Sequence, residues 1–230
     1  LAAADRGKLI MACGTGKTFT SLRLAEQLVG AGGSILFLVP SISLLSQTLR
    51  EWATEAEMPL ASLAVCSDRK ATARSKATNE DISAVDLALP STTNVAVLES
   101  RWTQAVGETD SMTVVFATYQ SIDVVAQAQS QGDLPAFDLI VCDEAHRTTG
   151  TTLAGENESA FVRIHDSSYI RGEKRLYMTA TPRIYDDASK AKAGEASAVL
   201  ASMDNEDLFG EELHRLGFGE AVAQDLLADY

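Results

Sequence analysis

The sequence has no apolar run approaching the ~18 residues that a membrane-spanning helix needs. Its runs are short, such as Ile35 to Val39 with Pro40 behind it. The start, Leu1-Ala2-Ala3-Ala4, is cut off at once by Asp5, Arg6 and Lys8 and does not read as a signal peptide. It lacks an initiating Met, which is the expectation for a piece of a longer protein. Cysteine is scarce: Cys13, Cys66 and Cys142 are an odd number without metal-ligand spacing, each in or beside an apolar run. Buried free thiols in a reducing compartment are expected. His146, His165 and His214 form no cluster, which argues against a zinc site. No internal repeat is present.

Positive charge is also in short supply, with 19 basic against 32 acidic residues and a net charge of −13. Nucleic-acid binders usually carry a basic footprint, so this balance counts against such a partner. The deficit is uneven, however. Residues 186–230 hold 11 acidic and 3 basic side chains, leaving 1–185 at only −5. Global charge says little about a local groove.

What is present is ordinary globular material. The 230 residues are 46% hydrophobic and 22% charged, and the mean hydropathy is close to zero. This suits one large domain or two small ones and excludes a disordered chain, a collagen-like repeat or a disulfide scaffold. A soluble, cytoplasmic protein is expected.

Apolar runs at Lys8–Ala12, Ile35–Val39, Ala61–Cys66, Thr113–Ala117, Asp138–Cys142 and Arg175–Thr179 are mostly apolar throughout rather than alternating. That is the pattern of strands covered on both faces of a parallel sheet. Between them, Phe19, Leu22, Ala25, Leu28 and Val29 share a helical face closed by Gly30-Ala31-Gly32-Gly33. Leu45, Leu49, Trp52, Ala53 and Ala56 make a second stripe, with Ser41 as its N-cap and Pro59 beyond its end. A third helix is expected from Ser121 to about Gln131. The alternation predicts an α/β fold, a mostly parallel sheet flanked by helices in three layers. Residues 68–111 interrupt it and read as an insertion, functional or merely solvated, with one helix around Val95 to Val106. The expected division is a domain over 1–185 followed by an acidic helical segment over 186–230.

Met11-Ala12-Cys13-Gly14-Thr15-Gly16-Lys17-Thr18 joins the first strand to the first helix. Gly14 and Gly16 let successive N–H groups face inward, and the helix N-terminus adds partial positive charge, as a phosphate cradle requires. Lys17 would reach the β and γ phosphates and the Thr18 hydroxyl would hold Mg²⁺. The strict pattern has Gly where Met11 stands, and a plain Gly-rich turn is the competing reading. A second strand ends in Asp143-Glu144-Ala145-His146, which places two carboxylates at the edge where open α/β sheets bind ligands. Asp143 could complete a magnesium shell while Glu144 activates water. Alternatively, both simply cap the next helix. Tyr177-Met178-Thr179-Ala180-Thr181-Pro182 ends the sixth strand with two hydroxyls.

The order Ala-Cys-Gly-Thr-Gly-Lys-Thr, Val-Pro-Ser, Thr-Tyr-Gln-Ser, Asp-Glu-Ala-His and Thr-Ala-Thr resembles the first RecA-like domain of superfamily 2 helicases and translocases, a P-loop NTPase fold. Longer stretches (Met11–Thr18, His146–Gly150, Tyr177–Tyr185, Ser202–Gly210) are similar to the motor of the predicted-helicase group that includes type ISP, single-chain restriction enzymes, a group in which Met or Ala commonly replaces the first glycine. The resemblance implies Mg·ATP binding by Gly14, Thr15, Gly16, Lys17 and Thr18, with Asp143 on the metal and Glu144 on the water. It implies that His146, Thr179 and Thr181 couple nucleotide state to DNA grip. It places Pro40, Ser41, Thr118, Tyr119 and Gln120 on the DNA backbone, although Pro40-Ser41 is also a helix start and Tyr119 could simply pack. Double-stranded DNA and a second RecA-like domain are the implied partners, with no membrane. Without that domain's arginine, worth ~10³–10⁵ in rate in related reactions, the chain alone should be nearly inactive. No nuclease or methyltransferase motif is visible. A nucleotide-gated binding module without turnover is the alternative, and a P-loop kinase or other nucleotidase is a weaker one.

Overall fold

In the computed structural model, residues 1, 3–67, 89–106, 110–152, 160–195 and 199–228 are described. Six strands coincide with the six apolar runs: β1 (Arg6–Met11), β2 (Ser34–Val39), β3 (Leu60–Val65), β5 (Met112–Thr118), β6 (Phe137–Cys142) and β8 (Gly172–Thr179). Two further strands, β4 (Ser91–Thr92) and β10 (Glu211–Leu216), extend the sheet at its edges. The order is β10-β1-β8-β6-β2-β5-β3-β4, and every pairing is parallel. Parallel neighbours need crossover connections, so helices end up covering both faces.

One face carries α1 (Lys17–Leu28), α2 (Ile42–Glu55) and α7 (Phe218–Ala223). Leu22, Ala25, Leu45, Leu49, Trp52 and Ala221 pack there against Phe37, Val39, Phe116, Val141 and Met178. The Trp52 ring meets Phe37 at 5.1 Å and Phe116 at 5.8 Å, edge to face. The opposite face carries α3 (Val95–Ala105) and α4 (Ile122–Gln131) and, beyond them, irregular chain over 160–170 and 202–209. Leu36, Leu38, Val115, Ile140, Cys142 and Tyr177 point that way. Each central strand is thus buried on both sides, which is why its sequence does not alternate. No helix among the described residues is long and apolar enough to cross a membrane.

Local chemistry sets the helix starts. The Ser41 side chain accepts from Leu44 N at 3.3 Å, capping α2 as its sequence implies, and Asn94 does the same for α3 through Val97 N. The helix expected near Val95 is α3. The first part of the expected insertion, 68–88, lies outside the described residues.

Two expectations need amending. Cys66 and Cys142 are buried, but Cys13 is exposed: it lies two residues past β1, where the chain leaves the sheet. The stretch 186–230 holds α5 (Asp187–Glu195), α6 (Glu206–Phe209) and α7, yet also two strands. β9 (Val199–Ala201) pairs antiparallel with β7 (Gly150–Thr152), and β10 lies beside β1. The charged run Glu211-Glu212-Leu213-His214-Arg215 is tolerated in a strand because β10 is an edge, open to solvent.

Candidate nucleotide-binding and coupling site

The site collects at the C-terminal edge of the sheet, where β1, β8 and β6 end side by side. Gly14 (φ +81°) and Gly16 (φ +85°) take left-handed conformations that curl the loop after β1 into the start of α1. A Cβ on Gly14 would also stand 3.2 Å from Leu227 Cδ2. The Thr15 hydroxyl donates to the Ala12 carbonyl at 2.7 Å. The Lys17 ammonium folds back over the loop, donating to the Met11 carbonyl at 3.1 Å. α1 has no side-chain cap and no acidic residue in its first turn, so nothing from the protein competes for its leading N–H groups. The Trp52 indole donates to the Thr18 carbonyl at 3.2 Å and locks that turn against α2. Beside the loop opens a cavity of about 590 Å³, lined in part by Cys13, Ala180, Thr181, Phe218 and Leu227.

Asp143 stands one residue past β6, its N–H bonded to the Leu38 carbonyl at 2.9 Å. It is 7% exposed, and burial pushes its carboxyl up to about 6. The neighbouring Glu144 carboxylate adds to the rise, and the Lys17 ammonium opposes it. A divalent cation would reverse the effect, since it supplies the missing positive charge. The donors fit a hard cation: a carboxylate from Asp143 and a hydroxyl from Thr18, the remaining positions left to phosphate and water, as magnesium prefers. Among the described residues, no group of three or more His, Cys, Asp and Glu side chains could hold a metal by themselves.

Glu144 has φ +49° and ψ +45°, left-handed and not glycine. Its carboxylate meets His146 Nδ1 at 3.2 Å, and the same nitrogen lies 3.0 Å from the Thr179 hydroxyl. Burial holds the His146 pKa below the usual imidazole value, against the pull of Glu144. Thr179 Oγ1 in turn accepts from the Thr181 N–H at 3.1 Å. The structure therefore joins His146, Thr179 and Thr181 by hydrogen bonds across β6 and β8, with the Glu144 carboxylate at ion-pair distance from His146.

The segments expected on DNA lie further along the same edge. Gln120 is exposed and donates to the Pro40 carbonyl at 3.2 Å, bringing the two segments together. Ser41 is partly exposed. Thr118 and Tyr119 turn inward: the Thr118 hydroxyl donates to Ser121 Oγ, and the Tyr119 hydroxyl donates to the Asp143 carbonyl at 2.9 Å. The motif left open whether Tyr119 faces DNA or packs, because nothing in Thr-Tyr-Gln-Ser says which way the ring points; it packs. Phe161, stacked on Tyr119 at 4.9 Å, carried no sequence signal at all.

Comparison with known proteins agrees with this geometry. The family described as type III restriction enzyme, res subunit, matches residues 2–184. The ATP-dependent type ISP restriction-modification enzyme LlaBIII, solved bound to DNA, is 44% identical, with a TM-score of 0.76 over 98% of this chain and 15% of that one. A nuclease-deletion mutant of the type ISP enzyme LlaGI, solved with a DNA substrate mimic, is 42% identical, with a TM-score of 0.72 over 97% of this chain and 19% of its own. The Hef helicase domain of Pyrococcus furiosus shares the fold at 20% identity, with a TM-score of 0.51 over 89% of this chain and 36% of that one. A probable helicase, A859L of African swine fever virus (isolate Tick/Malawi/Lil 20-1/1983), is 30% identical over 229 residues, 99% of this chain and 21% of the relative. The chain thus spans about a fifth of the length of that curated relative. With the family match running from β1 through the Thr179-Ala180-Thr181 segment, the chain belongs to the type III restriction enzyme res subunit family and has the fold of the first RecA-like domain of superfamily 2 helicases.

Proposed function

We propose that this chain is the ATP-binding half of a DNA translocase in a restriction-modification enzyme, coupling Mg·ATP hydrolysis to movement along double-stranded DNA in the cytoplasm. The observation that carries the reading is the convergence on one sheet edge of the Gly14–Thr18 loop, the Asp143–Glu144 pair and the His146–Thr179 bond. Phosphoryl transfer needs positioning and charge neutralisation more than covalent chemistry, and these residues supply both.

In this reading Gly14, Thr15 and Gly16 wrap the phosphates with backbone N–H groups. Lys17 exchanges the neutral carbonyls of Met11 and Ala12 for phosphate oxygens, a stronger, charge-assisted pairing. Thr18 and Asp143 hold magnesium, which when bound offsets phosphate charge. Glu144 orients the attacking water and takes its proton. The Glu144–His146–Thr179–Thr181 chain passes the change of charge at the phosphates to the Thr179–Thr181 strand end, where a second RecA-like domain would dock. Pro40, Ser41 and Gln120 face the sugar–phosphate backbone, with Ser41 and Gln120 offering side chains, while Thr118 and Tyr119, buried as whole residues, hold the turn in place. Backbone contacts carry no sequence information, which suits translocation. The chain alone turns over very slowly.

Two measurements test this. In thermal melts, Mg·ATP should stabilise the chain by about 2.7 kcal/mol at a hundredfold excess over its Kd, and Lys17→Ala should remove the effect. In the full-length protein, double-stranded DNA should stimulate ATP hydrolysis, and Glu144→Gln should lower it by about 10²–10⁴-fold. Absence of DNA stimulation in the wild type would sink the translocase. If Mg·ATP instead altered DNA affinity with negligible turnover, the gated binding module would take its place.

A further inference from the structure

We infer that Tyr119 is a positioning residue for the hydrolytic step: its hydroxyl holds the Asp143–Glu144 peptide in place and carries DNA engagement at the Pro40–Gln120 junction to the water-activating carboxylate. The inference rests on the proposed ATPase reading and deepens it.

The carbonyl that Tyr119 grips belongs to the peptide joining Asp143 to Glu144. The plane of that peptide is set by ψ of Asp143 and φ of Glu144. Glu144 is one of two non-glycine residues with positive φ among the described residues, the other being Asp225. Such a conformation persists only where its surroundings over-determine it. Here the amide N–H of Asp143 is pinned to Leu38 on one side, and the carbonyl is pinned to Tyr119 on the other. Removing the second pin lets the peptide rotate. Glu144 can then relax toward a right-handed conformation and swing its carboxylate away from His146 Nδ1, 3.2 Å distant.

The same turn links this pin to solvent. Tyr119–Ser121 form a single short 3₁₀ turn, stiffened by the Thr118–Ser121 hydroxyl bond. Tyr119, fully buried, faces the Asp143 carbonyl and stacks on Phe161. Gln120, exposed, faces the Pro40 carbonyl. A phosphate oxygen that accepts from the Gln120 amide displaces that carbonyl, and a turn this short moves as a unit. Its motion is delivered to the Asp143–Glu144 peptide one residue away. A buried phenol needs an acceptor wherever it sits. What separates a positioning role from a merely satisfied core tyrosine is which acceptor it has taken.

The test uses the full-length protein. Tyr119→Phe keeps the ring and loses the hydroxyl. DNA-stimulated kcat should fall about tenfold or more, a fraction of what a general base contributes, while KM for ATP changes less than about twofold. In a Glu144→Gln background, Tyr119→Phe should have almost no further effect on the residual rate, because both act through one group. Phe161→Leu, which frees the ring but keeps the hydroxyl, should lower kcat in the same direction without raising KM. Gln120→Ala should raise the DNA concentration needed for half-stimulation. A wild type with DNA-stimulated hydrolysis, together with unchanged kcat in Tyr119→Phe and Phe161→Leu, overturns the inference and leaves the ATPase standing. A fall in kcat that is fully additive with Glu144→Gln also overturns it. A wild type without stimulation overturns the ATPase reading itself.

Discussion

The two faces of the sheet solve the same problem with different materials. On the α1, α2 and α7 face, regular helices satisfy their own backbone, and the cover is almost purely apolar, centred on Trp52, Phe37 and Phe116. On the other face, beside α3 and α4, the cover over 160–170 and 202–209 is made of turns and the single-turn α6, and its carbonyls need donors from elsewhere. The sheet provides them from the buried Lys8 and Arg175 and the half-buried Arg6. Arg6 donates to the Leu208 and His165 carbonyls, Lys8 to Met203, and Arg175 to Ile164, Ile170 and Gly172. His165 bridges the Thr148 carbonyl and the Tyr177 hydroxyl, and its ring packs against Phe209 at 4.5 Å. Irregular coverage of a sheet is therefore held by specific hydrogen bonds, and regular coverage by area. The candidate site lies between the two, its Gly14–Thr18 loop leaning on the helical face and its Asp143–Thr149 turn on the other.

The largest expected effect breaks the apolar side. Trp52→Ala removes the centre of the aromatic cluster and the donor to Thr18, and should cost about 3–5 kcal/mol in urea denaturation. On the irregular side, Arg175→Met leaves three carbonyls without their donor and should cost on the order of 3 kcal/mol. Arg175→Lys should recover only part of it, because an ammonium cannot reproduce the guanidinium fork. If Arg175→Met proved neutral, the contrast between the faces would collapse.

pH sharpens the comparison. Burial lowers the His165 pKa to about 4, from 6.5 when exposed. Between those values the unfolded chain takes up a proton that the folded one refuses, so this group's contribution falls as pH drops from 6.5 to 4, by at most about 3 kcal/mol. Asp143 runs the other way. Its carboxyl is raised from 3.8 to about 6, so its contribution falls as pH rises across that range. The two partly cancel in the wild type. His165→Gln should expose the Asp143 slope alone. Relative to wild type, the variant gains stability between pH 7.5 and pH 4.5, measured by denaturation without divalent cations. An unchanged difference would mean that His165 is not neutral and buried.

The smallest effect concerns the orphan of the dry face. Ser46 on α2 has the one buried side-chain oxygen among the described residues without a hydrogen-bond partner. Ser46→Ala should stabilise by about 1 kcal/mol, read as a rise in melting temperature. Destabilisation would show that this face hides a polar contact.

Much of this was legible beforehand, and for physical reasons. A strand buried on both faces must be apolar throughout, so the six central strands were readable from residue type alone. The Ser41 cap and the glycines of the phosphate loop answer to local geometry, and their meaning travels with four to eight residues of sequence. Asp143 and Glu144 were legible as a pair because they end an apolar strand. The burial of Thr118 and Tyr119, the exposure of Cys13 and the return of Glu211–Leu216 to the sheet were not. Each depends on what comes alongside from elsewhere in the chain, from two dozen to two hundred residues away, or on where the chain leaves the sheet.

The sequence by itself determined the succession of strands and helices, the loop that can cradle phosphate and the carboxylates that can face it, because propensity, patterning and turn chemistry act over a few neighbours. Only the tertiary structure decided that β8 separates β1 from β6, so that Thr179 stands within reach of His146. It alone decided that Lys8, Arg6 and Arg175 answer the carbonyls of the short segments covering this face, and that Tyr119 turns its hydroxyl to the Asp143 carbonyl. Those outcomes follow from which surfaces are left to be covered and which polar groups are left to be paired once the sheet has formed, and no local stretch of sequence carries that information.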